Sequence, residues 1–218
     1  MTDSIIIETA TNELVKKEFA STEQLLNIHE VVYEEDKPKV LRVDKESNDG
    51  TAIVYFPIKD EKFYLAVWLD TEPQVSVRFV GTENYNSVYL IVTSELLTFN
   101  ELSSLTKLQS TSGWTKGDKR RLGNSLYDFS SIHFEPNPEP DEFEDKLKKL
   151  IDFLDQDKEG VGKLVEKAEA AIQVATIFHN GNTVLGGHQL DKAIIKRLGS
   201  YNLGIDFDLY AEGKFFVE

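Results

Sequence analysis

The chain has 218 residues and a mass of 24.8 kDa, and its residues are 40% hydrophobic and 28% charged. This composition is typical of a folded globular protein, with room for one large domain or two small ones. Cysteine is absent, which excludes disulfides and thiolate metal sites. The formal net charge of −14 argues against nucleic acid or an anionic membrane as the main partner, because both would repel most of the surface.

Neither a membrane span nor a secretion signal is predicted. No apolar run reaches the roughly 18 residues that a spanning helix needs. The start, MTDSIIIETA, lacks the basic region and long apolar core of a signal peptide. We therefore expect a cytoplasmic protein with no membrane partner.

The first part of the chain predicts helix followed by strands. After a short apolar start at residues 5–7, helical spacing runs from about Asn12 to Tyr33, as one broken helix or two short ones. Ser21 and Gln24 have the spacing of a capping box. Four short strand-like runs follow at residues 39–43, 51–58, 62–70 and 75–80. Short runs bounded by turn residues predict an antiparallel meander.

The second part alternates strands with helices. A strand at residues 87–95 precedes a capping box at Thr98 and Glu101. Further strands are predicted at 126–134, 171–179 and 204–210, and helices at 141–154, 163–168 and 189–198. The order predicts an α+β fold, namely a ferredoxin-like split βαβ domain with an enlarged helical connection at 135–170. An open, partly parallel sheet is the competing arrangement. We predict two domains, at residues 1–86 and 87–218.

A non-periodic stretch at residues 109–125 is the main candidate site. Loops of this length are uncommon in compact domains unless they are functional or disordered. Its glycines could present backbone N–H groups to an anion, and its Lys and Arg side chains could bind one. The P-loop pattern is absent, however, and Asp118 would repel a phosphate. The alternative is that the tryptophan packs on the core and the cations are solvated or paired. The candidate ligand- or partner-binding residues are Trp114, Lys116, Asp118, Lys119, Arg120 and Arg121.

A second candidate has the ligand spacing of a calcium loop. Asp155, Asp157, Glu159 and Glu166 stand at the first, third, fifth and twelfth positions, with a glycine at the sixth. Lys163 places a cation at the ninth position, which disfavours calcium. A polar turn between two helices explains the same residues.

The remaining polar groups give no support for catalysis. The chain has no cysteine nucleophile and no Gly-x-Ser-x-Gly elbow. His133, His179 and His188 could meet at a metal, but none has the close helical spacing of a zinc site. Asp206 and Asp208 share one face of the last strand, where an exposed polar face is the simpler interpretation. We therefore predict neither catalytic residues nor a cofactor.

Several segments carry a resemblance to a known family. The stretches GWTKGDKRRLGNSLYDFSSIHFE, EFEDKLKKLIDFL, IQVATIFHNGN and IDFDLY lie within residues 88–210. Together they resemble the bacterial family called domain of unknown function 4279. The resemblance implies an α+β fold and transfers no catalytic residue. Some relatives of that family are similar to predicted immunity proteins of bacterial toxin systems. The first part, through Gly81, resembles no family that we can name.

These observations favour a non-enzymatic protein-interaction module, of which a toxin-immunity protein is one form. Its acidic surface would bind a basic protein, and charge complementarity would raise the association rate and the specificity. The alternative is a small-ligand or anion-binding protein, or an enzyme, that uses the loop from Trp114 to Arg121. Calcium binding at Asp155 to Glu166 is a third possibility. The sequence leaves the oligomeric state undetermined.

Overall fold

The computed structural model describes residues 2–47, 49–182 and 185–215. Within these ranges the chain forms helices and two main sheets, which confirms the predicted α+β class. The helices are α1 (Asp3–Lys16), α2 (Ala20–Ile28), α3 (Phe99–Ser104), α4 (Phe143–Leu154), α5 (Lys158–Lys167) and α6 (Lys192–Tyr201), with a 3₁₀ turn at Asp155–Asp157.

The first sheet is the antiparallel meander that the turn-bounded runs predict. A two-stranded hairpin, β1 (Tyr33–Glu34) and β2 (Lys37–Pro38), precedes it. The sheet then runs in order through β3 (Arg42–Asp44), β4 (Thr51–Pro57), β5 (Tyr64–Asp70) and β6 (Ser76–Glu83). We call it the meander sheet. Helices α1 and α2 pack on one of its faces, where Ile6, Ala10 and Leu25 join the buried strand residues.

The first two helices begin earlier than their sequence pattern predicts. Helix α1 starts at Asp3 rather than near Asn12, because Ile6, Ala10 and Leu14 form one buried stripe at helical spacing. The predicted capping box at Ser21 is absent, since α2 begins at Ala20 with no side-chain cap from its preceding residue. The buried carboxylate of Glu13 instead accepts hydrogen bonds from the Phe19 amide (3.1 Å) and the Thr22 hydroxyl (2.5 Å). A tertiary contact therefore replaces the local cap.

The second sheet has five strands in the order β11-β10-β7-β9-β8. The pair β10–β11 is parallel and the other pairs are antiparallel. Helix α6 joins two parallel strands that lie side by side, so this is a direct βαβ unit rather than a split one. The ferredoxin-like description is not confirmed. The strands are β7 (Tyr85–Ser94), β8 (Ser112–Trp114), β9 (Ser130–Phe134), β10 (Glu169–His179) and β11 (Gly204–Glu212).

Helices α3 to α6 cover one face of the five-stranded sheet. Alternate residues of its strands, such as Leu90, Ile132 and Val174, point into this core and are fully buried. On the helical side, Leu147 and Leu164 come from α4 and α5. These two helices form the enlarged connection between β9 and β10 that the sequence predicts. The opposite face of the sheet carries none of this helical layer.

The two sheets meet at the end of β10 and at the start of α4. Ile177 of β10 belongs to the core of the meander sheet, and His29 and His179 bring their Nε2 atoms to 3.0 Å in the buried contact beside it. At the second contact, Arg42 of β3 forms an ion pair of 2.8 Å with Asp141. The predicted boundary between residues 86 and 87 falls inside β7 and stays a prediction.

Candidate functional site

The stretch at residues 109–125 is folded against the five-stranded sheet. Its residues Ser112–Trp114 form the edge strand β8, which pairs with β9. The Trp114 indole is half-buried, donates from Nε1 to the Phe129 carbonyl (3.0 Å) and stacks on Tyr127 with ring centroids 4.3 Å apart. The Trp114 ring is therefore held by contacts with Tyr127 and Phe129, outside the two hydrophobic cores.

The charged residues of this loop do not converge on one point. The Arg120 guanidinium lies over the Tyr127 ring, 5.3 Å from its centroid, and 3.6 Å from the Asp128 carboxylate. Lys116 reaches the Glu95 carbonyl at 3.4 Å. The carboxylate of Asp118 accepts a hydrogen bond from the Thr115 amide (2.8 Å) and so closes the turn. Lys119 and Arg121 are exposed.

The four calcium candidates lie along the 3₁₀ turn and helix α5, not around a loop. Asp155 accepts hydrogen bonds from Arg197 (2.6 Å) and from Tyr201, and Asp157 caps α5 through the Gly160 amide (3.1 Å). Glu159 pairs with Lys163, and Glu166 lies in the last turns of α5. Nowhere in residues 2–47, 49–182 and 185–215 do three or more His, Asp or Glu side chains form a group suited to a metal ion.

The other polar candidates are also separated. The His133 ring hydrogen-bonds Ser112 and Ser131, whereas His188 contacts the Thr176 hydroxyl at 2.9 Å. His179 is paired with His29 in the contact between the sheets. Asp206 and Asp208 are exposed on the edge strand β11, where Gln173 donates to Asp208 (2.9 Å).

The structure reveals a site that the sequence does not predict, at the place where the sheets meet. Two cavities of about 320 and 180 Å³ lie on either side of Glu142, which lines both. We call them together the acidic cleft. Most of their charged lining residues are acids; Arg78 and His188 are the basic groups among them. The acids are Asp44, Glu46, Asp49, Glu83, Glu142, Glu144 and Asp145.

Crowding raises the pKa of several of these carboxyl groups. Burial, and secondly the charge of Glu142, raises the pKa of Glu83 to about 7. The pKa of Glu142 is raised by desolvation and by Asp145 and Glu144. Asp145 also has a raised pKa, first through desolvation and then through Asp141. These carboxyl groups are therefore harder to ionise than exposed ones, first because they are buried and second because other acids lie nearby.

The cations nearest the acidic cleft already form ion pairs with other carboxylates. The buried Asp141 carboxylate contacts Arg42 and Lys149, both at 2.8 Å. Burial alone would raise the pKa of Asp141, but hydrogen bonds from Lys149 and Arg42 outweigh it and lower that pKa. Arg78 lies beside Asp70, its ion-pair partner on the neighbouring strand. Among the residues described, Glu142 and Asp145 have no ion-pair partner.

Sequence reasoning missed this cleft because three distant segments build it. The run Asp141 to Asp145 lies at the start of the helix predicted at residues 141–154, and Glu144 and Asp145 do occupy the first turn of α4. Glu83 ends β6, and Asp44 ends β3. Only the packing of the meander sheet against the start of α4 places these carboxylates together. The high density of acids in residues 135–145 was the one available signal.

The geometry thus defines an α+β protein with an acidic cleft between two sheets. Residues 83–212 match the family described as Domain of unknown function (DUF4279), and the chain belongs to this family. The match leaves the N-terminal part uncovered. No curated protein and no solved structure matches the chain. In the described residues, no helix is long and apolar enough to cross a membrane.

Proposed function

We propose that this protein is a non-enzymatic interaction module that binds a basic protein partner in the acidic cleft. The observation that carries the proposal is the shared position of Glu142 between two acid-lined cavities. Neither its carboxylate nor that of Asp145 forms an ion pair with a cation among the residues described, although the charge of Lys149 offsets part of the rise in the pKa of Asp145. A Lys or Arg side chain from a partner would supply that cation.

The larger of the two cavities also offers an apolar wall. Trp68 and Ile53 line it beside the carboxylates, and Phe79 packs on Trp68 with ring centroids 5.1 Å apart. A cation placed against an indole face gains about 0.5–1 kcal/mol at an exposed site, and more when it is desolvated. Arginine suits this wall best, because its planar guanidinium stacks on aromatic rings while it pairs with carboxylates.

The overall charge supports the same kind of partner. A net charge of −14 steers a basic protein toward the surface and makes the association sensitive to salt. An immunity protein that neutralises a basic toxin would be one form of this module. Because the chemistry is non-covalent, no catalytic residue is needed.

The test combines capture of the partner with a matched pair of charge variants. The tagged protein is used to capture proteins from lysate of its own organism at low and moderate salt, with identification by mass spectrometry. We expect one stoichiometric basic protein that is lost at the higher salt. Its affinity should fall at least about tenfold, or 1.4 kcal/mol, in the Glu142→Lys/Asp145→Lys variant.

The control carries the same charge change away from the cleft. Glu8 and Glu23 are exposed on α1 and α2, so Glu8→Lys/Glu23→Lys should bind nearly as tightly as the parent protein, apart from a smaller long-range effect. Equal loss in both variants would mean that net charge, not the cleft, governs binding. A capture without a saturable partner at any salt concentration would refute the interaction module itself.

A second candidate function uses the exposed cations of the loop at residues 109–125, which lies near a surface cavity. The cavity measures about 650 Å³ and its charged lining residues are Glu95, Glu166, Lys167 and Glu169, so an anion would be bound by the loop cations rather than inside the cavity. Lys116 contacts the Glu95 carbonyl at its rim. If this region binds a phosphorylated or dicarboxylate ligand, thermal stabilisation by that ligand should disappear in Arg120→Ala/Arg121→Ala. Stabilisation that persists in this variant would exclude the arginine pair as the anion site.

A further inference from the structure

The face of the five-stranded sheet opposite its helices carries a row of aromatic rings. Register places Tyr89 of β7 and His133 of β9 on this face, because the residues that flank them in sequence point into the helical core. Trp114 of β8 lies opposite Ser131 and shares the face. Tyr127 continues the row beyond the edge strand. We call Tyr89, His133, Trp114 and Tyr127 the aromatic strip.

The rings of the strip are in contact but not coplanar. Ring centroids are 5.3 Å apart for Tyr89 and His133, 5.1 Å for His133 and Trp114, and 4.3 Å for Trp114 and Tyr127. The His133 ring stands at 83° to the indole. All four side chains are half-buried. The strip is therefore an uneven but continuous ring surface that crosses the strands.

Most polar atoms of these rings are already satisfied inside the protein. The two ring nitrogens of His133 lie at 3.2 and 2.9 Å from the hydroxyls of Ser112 and Ser131. The Trp114 indole N–H donates to Phe129. The Tyr89 hydroxyl makes no hydrogen bond to the described residues and remains a donor for a ligand. The strip thus offers apolar ring surface and few acceptors.

The two ends of the strip carry opposite charge. On the β11 side, Asp206 is exposed in register with Gln173, whose partner on β7 is Tyr89. Asp208 is exposed two residues further along and accepts a hydrogen bond from Gln173. On the other side, Arg120 covers Tyr127 and lies beside the exposed Asp128, and the cations Lys119 and Arg121 are exposed nearby, so cations outnumber acids at this end. A ligand that lies along the strip therefore meets acids at one end and cations at the other.

From this arrangement we propose that the aromatic strip binds a proline-rich extended segment of a protein, oriented by a basic residue at the β11 end and an acidic residue at the loop end. Prolines have no N–H to satisfy, so they suit a surface with few free acceptors. Polyproline II segments also bind aromatic-lined grooves at low entropic cost, since they are already ordered. Proline rings would pack against the exposed edges and faces of these aromatic rings.

Charge and geometry disfavour the other extended ligands. A nucleic acid would place phosphates beside Asp206 and Asp208. A sugar chain needs many hydrogen-bond partners, whereas the ring nitrogens of the strip are occupied. The length fits a short peptide: five strands at about 4.8 Å spacing span about 19 Å, which equals about six residues of polyproline II at 3.1 Å each.

The probes are hexaproline peptides that carry Lys at one end and Glu at the other, in both orders, with blocked termini. The chain has two tryptophans, so a Trp68→Phe background leaves Trp114 as the fluorophore. We expect a saturable change in Trp114 fluorescence with a Kd below about 1 mM for at least one order. A Gly-Ser peptide with the same ends should bind at least tenfold more weakly.

Two variants assign the binding to the strip. Tyr89→Thr keeps a good strand-forming residue and should weaken binding at least tenfold, whereas the exposed Tyr33→Thr should not. Asp206→Lys/Asp208→Lys changes exposed residues of the edge strand, so folding is retained even if the tyrosine variant is unstable. This variant should lose affinity for the Lys-ended peptide and gain it for hexaproline with Glu at both ends.

Several outcomes would overturn the proposal. They are the absence of saturable binding to either hexaproline peptide, equal binding of the Gly-Ser peptide, and binding of a neutral hexasaccharide or oligouridylate in place of hexaproline. The cleft variant Glu142→Lys/Asp145→Lys should bind hexaproline as well as the parent protein does. The test of the aromatic strip is therefore independent of the proposal that the acidic cleft binds a basic protein.

Discussion

The two contacts that join the meander sheet to the five-stranded sheet differ in their chemistry. One is a pair of buried histidines, His29 and His179, packed on Phe63. The other is a buried ion network in which Arg42 and Lys149 hold Asp141. In the first contact burial favours the neutral form of the His29 ring, whereas in the second each charge depends on its partner. The orientation of the N-terminal segment thus rests on polar contacts as well as on apolar packing.

The largest effect is expected from breaking the ion network. Arg42→Met leaves the fully buried Asp141 carboxylate with one cation fewer and should lower the free energy of unfolding by about 3–5 kcal/mol. Urea denaturation would measure this loss. The matched control is Arg78→Met, which removes an exposed ion pair with Asp70 and should cost about 0–1 kcal/mol. Similar losses in the two variants would mean that the network contributes no more than a surface pair.

Removing both partners of the Arg42–Asp141 ion pair tests the same network. In Arg42→Met/Asp141→Leu both charges are gone, so the double variant should be more stable than Arg42→Met alone. A double variant that is less stable by the sum of two single losses would show that the two residues do not interact.

Acid should weaken the histidine contact between about pH 6.5 and pH 4. Burial, followed by the nearby charges of His179 and Lys214, lowers the pKa of His29 from 6.5 to about 4. Between these values the unfolded chain binds a proton that the folded protein does not. Stability should therefore fall on the order of 1–3 kcal/mol as the pH drops from 6.5 to 4.

The measurement is the pH dependence of unfolding in the parent protein and in His29→Phe. The variant should show a flatter profile over this range, because the titrating group has been removed. Identical slopes would mean that other groups account for the loss, since the pKa values of His133 and His188 are also lowered by burial.

The acidic cleft should have the opposite pH dependence. The pKa of Glu83 is raised to about 7, so between pH 4.5 and 7 the folded protein retains a proton that the unfolded chain has lost. Stability from this group is present at low pH and lost as the pH rises. Glu83→Gln should raise the free energy of unfolding on the order of 1–2 kcal/mol at pH 8, with little change at pH 4.5. A gain of equal size at both pH values would contradict this assignment.

The smallest expected change in stability comes from substituting Thr98 and Ser21, which have similar capping signatures in the two parts of the chain. Thr98 caps α3 with a complete capping box, so Thr98→Ala should cost about 1 kcal/mol. Ser21 has the same local signature but lies inside α2, and Ser21→Ala should be neutral or slightly stabilising. Thermal unfolding of the two variants tests the difference. A loss in Ser21→Ala as large as that in Thr98→Ala would restore the capping role of Ser21.

Local signals were reliable where short-range chemistry decides the structure. Alternating apolar residues between turns predicted the meander, and helical spacing predicted α4 and the second half of α5, which begins at Lys158 rather than at residue 163. The capping box at Thr98 formed as predicted because both of its partners lie within one turn. The start of α2 was predicted wrongly, since its cap is the carboxylate of Glu13 in another helix.

The sequence by itself determined the α+β class, the order of most elements and the family to which residues 83–212 belong. These properties follow from periodicity, turn chemistry and motif residues that are close in the chain. Only the tertiary structure decided that β11 lies beside β10 and that Glu83, Asp44 and Glu142 meet in one cleft. Strand order and clefts depend on contacts between residues that are many positions apart in the chain. The spacing of residues within one segment does not predict such contacts.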